Sequence, residues 1–200
     1  MLRLPIVVLA ATLAAFPVWA ERISLSDISA YFNSFETAKG EFTQLNGDGS
    51  LSTGQLYLHR PGRMRFEYAP PNDALVIAGG QKLAVFDAKS NQGPAEYPLK
   101  RTPLSIILER NVDLGRANMV VGHTNDDTTT TVVAQDPENP EYGNIALVFT
   151  DNPVALRKWV VTDDTGGQTT VVLGDLELGV KLRNSLFNIV FEAQKRSGED

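Results

Sequence analysis

The sequence predicts a mainly β, α+β fold, in which one strongly curved antiparallel sheet of about ten to eleven strands is covered by short helices. Three observations carry this. Strand-length runs recur at intervals of roughly 10 residues, broken by turn residues such as Asn46-Gly47-Asp48-Gly49, Pro61-Gly62, Pro70-Pro71 and Gly79-Gly80, which is the texture of a meander. Only two segments carry helical spacing, and both are short. A sheet this large must curl or close. Its concave face then needs a cover, and the two amphipathic helices are the only candidates, so sheet and helices together should enclose an apolar pocket.

The N-terminus, MLRLPIVVLAATLAAFPVWA, has one basic residue, an apolar run from Leu4 to Phe16, and small residues at both positions that direct cleavage. It reads as a secretory signal peptide over residues 1–20, cut after Ala20. The apolar run is shorter than the ~20 residues that a membrane-spanning helix needs. Residues 21–200 show no repeat and no linker, so a single domain is expected, exported and soluble. Loss of Arg3 with the leader makes a net charge of −6 one unit more negative, which argues against a nucleic-acid partner. The chain has no cysteine. This excludes a disulfide scaffold, a thiolate metal site and a thiol nucleophile, and leaves stability to the core.

Ser24-Leu25-Ser26-Asp27 has the form of a capping box. With Leu25, Ile28, Phe32 and Phe35 at helical spacing, it predicts an amphipathic helix over residues 25–38. Strands are expected at 40–46, 50–60, 63–69, 74–78 and 82–87, with a further turn at Asn91-Gln92-Gly93. Thr102-Pro103 then starts a short helix whose stripe is Leu104, Ile107 and Leu108. Strands resume at 118–122, 128–135, 145–150, 156–163, 168–176 and 186–191. Residues 136–142, with two prolines, read as a loop, and residues 196–200 as a frayed tail.

Residues 54–68, GQLYLHRPGRMRFEY, carry the most information about a site. Side chains alternate along a strand, so Leu56, Leu58 and Arg60 share one side. Beyond Pro61-Gly62, Met64, Phe66 and Tyr68 share one side, with Arg63, Arg65 and Glu67 on the other. If the first set faces inward, Arg60 lies at the edge of an apolar surface. A guanidinium there needs carbonyl or carboxylate partners unless its long stem lets it reach water.

Catalytic chemistry is poorly supplied. His59 falls on the strand face away from Leu58 and should meet solvent, and His123 sits at a strand end. Neither has a serine, cysteine or metal-ligand pattern around it. Asp126-Asp127 and Asp163-Asp164 flank turns, where aspartate is favoured for local reasons. Gly79-Gly80 and Gly166-Gly167 adjoin strands, not a helix N-terminus, so they do not cradle phosphate. No enzyme, metal or cofactor is expected, and what remains is binding through apolar surface.

The chain resembles the periplasmic outer-membrane lipoprotein carriers, the LolA-type chaperones. The resemblance runs through Lys39-Gly40-Glu41-Phe42-Thr43-Gln44, the block Gly54-Gln55-Leu56-Tyr57-Leu58-His59-Arg60-Pro61-Gly62 with Phe66-Glu67-Tyr68 and Pro70-Pro71, and the hairpin Gly79-Gly80-Gln81-Lys82-Leu83. It continues through Tyr97-Pro98-Leu99 and Thr102-Pro103-Leu104, and more loosely through residues 156–161 and 187–191. It implies an incomplete barrel closed by a helical lid, in the periplasm. The cavity would take acyl chains of lipoproteins released by an inner-membrane ABC-type exporter and pass them to an outer-membrane lipoprotein receptor. A receptor of that kind carries a lipid-anchoring cysteine, so its absence here favours the carrier, expected as a monomer. By motif, Arg60 would hold the lid shut through backbone carbonyls. The expected liners are Leu56, Leu58, Met64, Phe66 and Tyr68 on the sheet and Leu104, Ile107 and Leu108 on the lid, with Trp159 facing the same cavity. The loop 136–142 and the threonine run 128–131 match no motif of the family. Two other readings stand beside this one: a periplasmic sensor module that binds lipid or lipoprotein in the same half-barrel, and an exported esterase, which would need a serine within reach of a histidine.

Overall fold

A computed structural model describes residues 22–87 and 93–198. The predicted leader and the turn expected at Asn91-Gln92 lie outside those residues. The elements, in order, are α1 (Leu25–Asn33), β1 (Thr37–Leu45), β2 (Leu51–His59), β3 (Arg63–Tyr68), β4 (Leu75–Gly79), β5 (Lys82–Phe86), β6 (Ala95–Pro98), α2 (Leu104–Ile107), β7 (Val120–Asn125), β8 (Thr129–Gln135), β9 (Asn144–Thr150), β10 (Ala155–Thr162), β11 (Gln168–Leu173), β12 (Glu177–Leu178) and α3 (Ile189–Ser197). Short 3-10 turns lie at Leu99–Arg101, Pro140–Tyr142 and Asn184–Phe187.

All twelve described strands belong to one antiparallel sheet, ordered β6-β5-β4-β3-β2-β1-β11-β10-β9-β8-β7, with β12 also on β1. The edges β6 and β7 do not pair, so the curled sheet stays open along one seam. The chain between those two edges, residues 99–119, crosses that seam and carries α2. Alternation along the strands sends Leu56, Leu58, Met64, Phe66, Val132, Ile145, Leu147, Phe149 and Val171 into one buried cluster. On β10 the pairing with β9 shifts between Leu156 and Lys158, and this bulge puts Leu156 and Trp159, three residues apart, into the same interior. Gly54 on β2 faces Phe42 and Tyr68 in register. A Cβ there would run into the Glu67 carbonyl and lie 2.8 Å from the Phe42 ring, so only glycine lets the strands close up at this bend.

Four expectations are corrected. The first helix ends at Asn33, because from Thr37 the chain is taken up by pairing with β2, beginning at His59. Ladder formation overrides the helical spacing there, although Phe35 remains buried. Thr102 does not cap α2: its hydroxyl donates back to the Leu99 carbonyl at 2.8 Å, and Pro103 opens the single helical turn. The run 186–191 is not a strand. It is a 3-10 turn followed by α3, whose N-cap Asn188 accepts the Phe191 N–H at 3.0 Å, and Arg196 and Ser197 belong to that helix. His59 is not in open solvent, since it is half-buried against the Phe187 ring at 5.8 Å.

The last two corrections share a cause. β4 is apolar on both faces, and its outer side chains Leu75 and Ile77 join Ala84 and Phe86 of β5 in a second cluster, which Ile189 and Ala193 of α3 cover. Arg65, on the outer face of β3, is buried there as well. It donates to the Leu186 carbonyl at 3.0 Å and pairs with Glu192 at 3.3 Å and Glu67 at 2.6 Å.

Candidate functional site beneath the helical cover

α1 forms because Ser24 caps it: its Oγ accepts the Asp27 N–H at 3.1 Å and donates to the Asp27 carboxylate at 2.6 Å. Its apolar stripe, Ile28 and Phe32, lies on the concave face, where Phe32 and Tyr31 meet Phe149 edge to face at 5.9 and 5.8 Å. α2 adds Ile106 and Ile107, followed by Leu108, Val112 and Leu114.

Every predicted liner falls in this one cluster. Leu56, Leu58, Met64, Phe66, Ile107, Leu108 and Trp159 are buried, and Tyr68 and Leu104 are half-buried at its margin. Ile107 is 0% and Trp159 2% exposed, so sheet and cover touch with no water-sized gap beside these residues. Phe66 meets the Trp159 ring at 6.1 Å and Phe42 at 5.1 Å. Burial raises the Tyr68 phenol above its usual range, opposed by the hydrogen bond that it donates to Gln44 at 2.6 Å.

Arg60 is the buried cation at the rim of this cluster, 3% exposed. Strand parity points its side chain inward with Leu56 and Leu58. Nη2 donates to the Phe32 carbonyl and, at 2.7 Å, to the Phe35 carbonyl. Nη1 donates to the Glu109 carbonyl at 3.3 Å, and the guanidinium stands 5.6 Å from the Phe35 ring centre. Phe32 lies in the last turn of α1, where carbonyls lack helical partners and carry partial negative charge. One side chain on the sheet thus holds the end of α1 and the chain that leaves α2. Burial lowers its pKa from the ordinary arginine value, with Glu36 opposing.

Sequence reasoning missed the second tie. Asn33 donates to the Val112 carbonyl at 2.8 Å and accepts the Val112 N–H at 3.0 Å, joining α1 directly to the segment after α2. Its neighbour Ser29 accepts the Leu114 N–H at 3.1 Å, and the Gly62 N–H donates to Leu108 at 2.8 Å. A polar asparagine in the last helical turn, beside a stripe that must be covered, was the available signal. Where the seam opens, a groove of about 850 Å³ is floored by Leu99, Ile106, Leu108 and Met119 and rimmed by Arg101 and Tyr142.

The remaining polar groups are local. Asp126 accepts the N–H groups of Thr128 and Thr129 at 2.8 and 2.7 Å, which with the threonine hydroxyls hold its carboxyl at about 2. Asp163 closes a similar turn through Thr165 and Gly167. The His123 ring is engaged by the Ile23 carbonyl at 2.9 Å. Among the described residues no helix is long and apolar enough to cross a membrane.

An open antiparallel half-barrel, its concave face apolar and covered by helices tied to one inward arginine, defines the class as that of the lidded half-barrels. Residues 33–190 match the family described as outer membrane lipoprotein carrier protein LolA, and the chain belongs to that family. Among its relatives, the outer-membrane lipoprotein carrier protein of Ralstonia nicotianae is 24% identical over 90% of this chain and 88% of its own. That of Coxiella burnetii is 23% identical over 85% and 84%. A solved LolA superfamily protein from Nitrosomonas europaea aligns over 83% of this chain and 98% of its own, at 10% identity and a TM-score of 0.44.

Proposed function

We propose that this protein is a soluble periplasmic lipoprotein carrier. It takes the acyl chains of lipoproteins released by an inner-membrane ABC-type exporter and delivers them to an outer-membrane acceptor. It works as a monomeric single domain, residues 21–200 after loss of the leader, without catalysis or cofactor. The acyl chains lie where α1 and α2 now pack, against Leu56, Leu58, Met64, Phe66, Tyr68 and Trp159, with Leu104, Ile107 and Leu108 moving as the lid.

The observation that carries this reading is the position of Arg60, which from the end of β2 fastens the end of α1 and the chain that leaves α2. Uncovering six lid side chains (Ile28, Phe32, Phe35, Ile106, Ile107 and Leu108) would cost roughly 1.5–3 kcal/mol each in water. An acyl chain that replaces them buries its own methylenes at about 0.8 kcal/mol each. The apolar terms of the closed and loaded states therefore oppose each other. A few hydrogen bonds of about 1 kcal/mol each then decide the balance, so loading is reversible without an energy source at the carrier.

The test is incubation of the mature protein with spheroplasts of its host. Release of a triacylated lipoprotein into the soluble fraction by the wild type is the expected result. Arg60→Leu should take up cargo but fail to pass it on. No release, with no acylated protein co-purifying, would overturn the carrier reading.

A further inference from the structure

We propose that the outward face of α3 docks on an anionic phospholipid surface. This goes beyond the carrier reading and does not need the lid to open. α3 is held rigidly on the outer face of β4 and β5 by Ile189 and Ala193, and by Glu192 buried against Arg65. That anchorage forces the neighbouring Val190 and Phe191 outward, where they are 67% and 53% exposed. A helix of this size needed only one apolar stripe to pack, and these two side chains lie off it.

Lys181, Arg183 and Lys195 are exposed and in no ion pair among the described residues, while Arg196 is paired with Glu192. Glu199 and Asp200 follow in the sequence, so residues 180–200 carry four basic and three acidic side chains in a chain whose net charge is −6. Glu192 is buried and already shared between Arg65 and Arg196, so it offers no negative charge outward. Lys195 follows Phe191 by one helical turn. Arg63 and Lys82 line, with Val190, a recess of about 420 Å³ beside the helix, and the acid in that recess, Glu96, is paired with Lys82. Exposed aromatic and aliphatic tips among cations are what an interfacial helix presents to lipid headgroups. An acidic protein partner would account for the cations and leave Val190 and Phe191 without a role. With few cations and two apolar tips the contact is brief and sensitive to salt, which suits a protein that must leave each membrane it visits.

The test is flotation of the mature protein with vesicles of phosphatidylcholine alone or mixed with phosphatidylglycerol, at low salt and at about 150 mM salt. Flotation with the phosphatidylglycerol vesicles only, weakened by salt and reduced several-fold in both Val190→Ser/Phe191→Ser and Lys195→Glu, is expected. Arg60→Leu should float as the wild type does. All the α3 positions changed are exposed, and unchanged thermal midpoints confirm that the variants fold. No flotation with anionic vesicles would overturn the proposal, as would flotation indifferent to both α3 variants, or flotation lost in Arg60→Leu. Binding to soluble polyglutamate without binding to vesicles would assign the surface to an acidic protein instead.

Discussion

Arg60 donates from Nη2 to the Phe35 carbonyl at 2.7 Å, across the boundary between the sheet and the helix that covers it. The same nitrogen reaches Phe32, and the other reaches Glu109. An arginine suits this task because its planar fork presents several fixed donors and keeps its charge. Its closer acceptors are backbone carbonyls at the end of a helix and in loops, which survive a change of side chain, and the Asn33 side-chain oxygen is a longer fourth at 3.5 Å.

Replacing Arg60 with leucine leaves the carbonyls of Phe32, Phe35 and Glu109 without this donor in a buried place. The expected loss is about 2–4 kcal/mol of stability in urea unfolding, with increased binding of a fluorescent apolar dye to the folded protein. An unchanged urea midpoint and unchanged dye binding would show that the guanidinium is not a fastening.

Asn33→Ala removes both hydrogen bonds to Val112 and the long contact that Arg60 Nη1 makes to Asn33 at 3.5 Å, while Arg60 keeps its three carbonyl partners. The same two readouts should move by about 1–2 kcal/mol and a smaller rise in dye binding. Combined with Arg60→Leu, the loss should be less than additive, because both variants free the same two segments.

The outer face carries a separate device. Arg65 and Glu192 are both 8% exposed in their side chains, and without Glu192 the buried Arg65 keeps the Glu67 carboxylate and the Leu186 carbonyl. Glu192→Ala should cost about 1–3 kcal/mol, and replacing both Arg65 and Glu192 with methionine should cost clearly less. Equal losses would mean that the pair matters only through the volume it fills.

His59 sets a pH dependence. Burial, followed by the nearby Arg63 cation, holds its imidazole below the usual value of 6.5, with Glu36 opposing. The unfolded chain therefore binds this proton more readily than the folded one. Stability at this site is complete above pH 6.5 and is lost as the pH falls through the lowered folded value. Urea midpoints measured from about pH 7.5 down to about pH 5 should fall in the wild type, and the fall should be shallower in His59→Gln. Identical pH profiles would remove His59 from the account.

Much of the sheet was legible because turn residues and alternation are local properties. Pro61-Gly62 and Gly79-Gly80 mark hairpins, and parity alone placed Leu56, Leu58, Met64, Phe66 and the inward Arg60. What failed depended on partners distant in sequence. The run from Leu186 to Phe191 is short and apolar, and periodicity cannot separate a strand from a helix at that length. The decision came from the Asn188 cap and from the apolar outer face of β4 and β5. That face did leave a trace: the run LVIAG of β4 has no polar side, the mark of a strand covered on both faces. Glu192 and Arg196, four apart, were a second sign of helix. The reciprocal tie of Asn33 to Val112 spans 79 residues, so the asparagine at the end of α1 marked one half of it and nothing local marked the other.

In the proposed carrier, α1 and the chain through α2 are one movable cover held by Arg60. Hydrogen exchange of their amides, residues 25–33 and 104–114, tests it most directly, compared between the empty wild type, Arg60→Leu, and the wild type loaded with a triacylated lipoprotein. Strong protection is expected in the empty wild type, lost together in both segments on loading and partly lost in empty Arg60→Leu, while β9 and β10 stay protected throughout. Protection of both segments that is unchanged by cargo and by the substitution would contradict it.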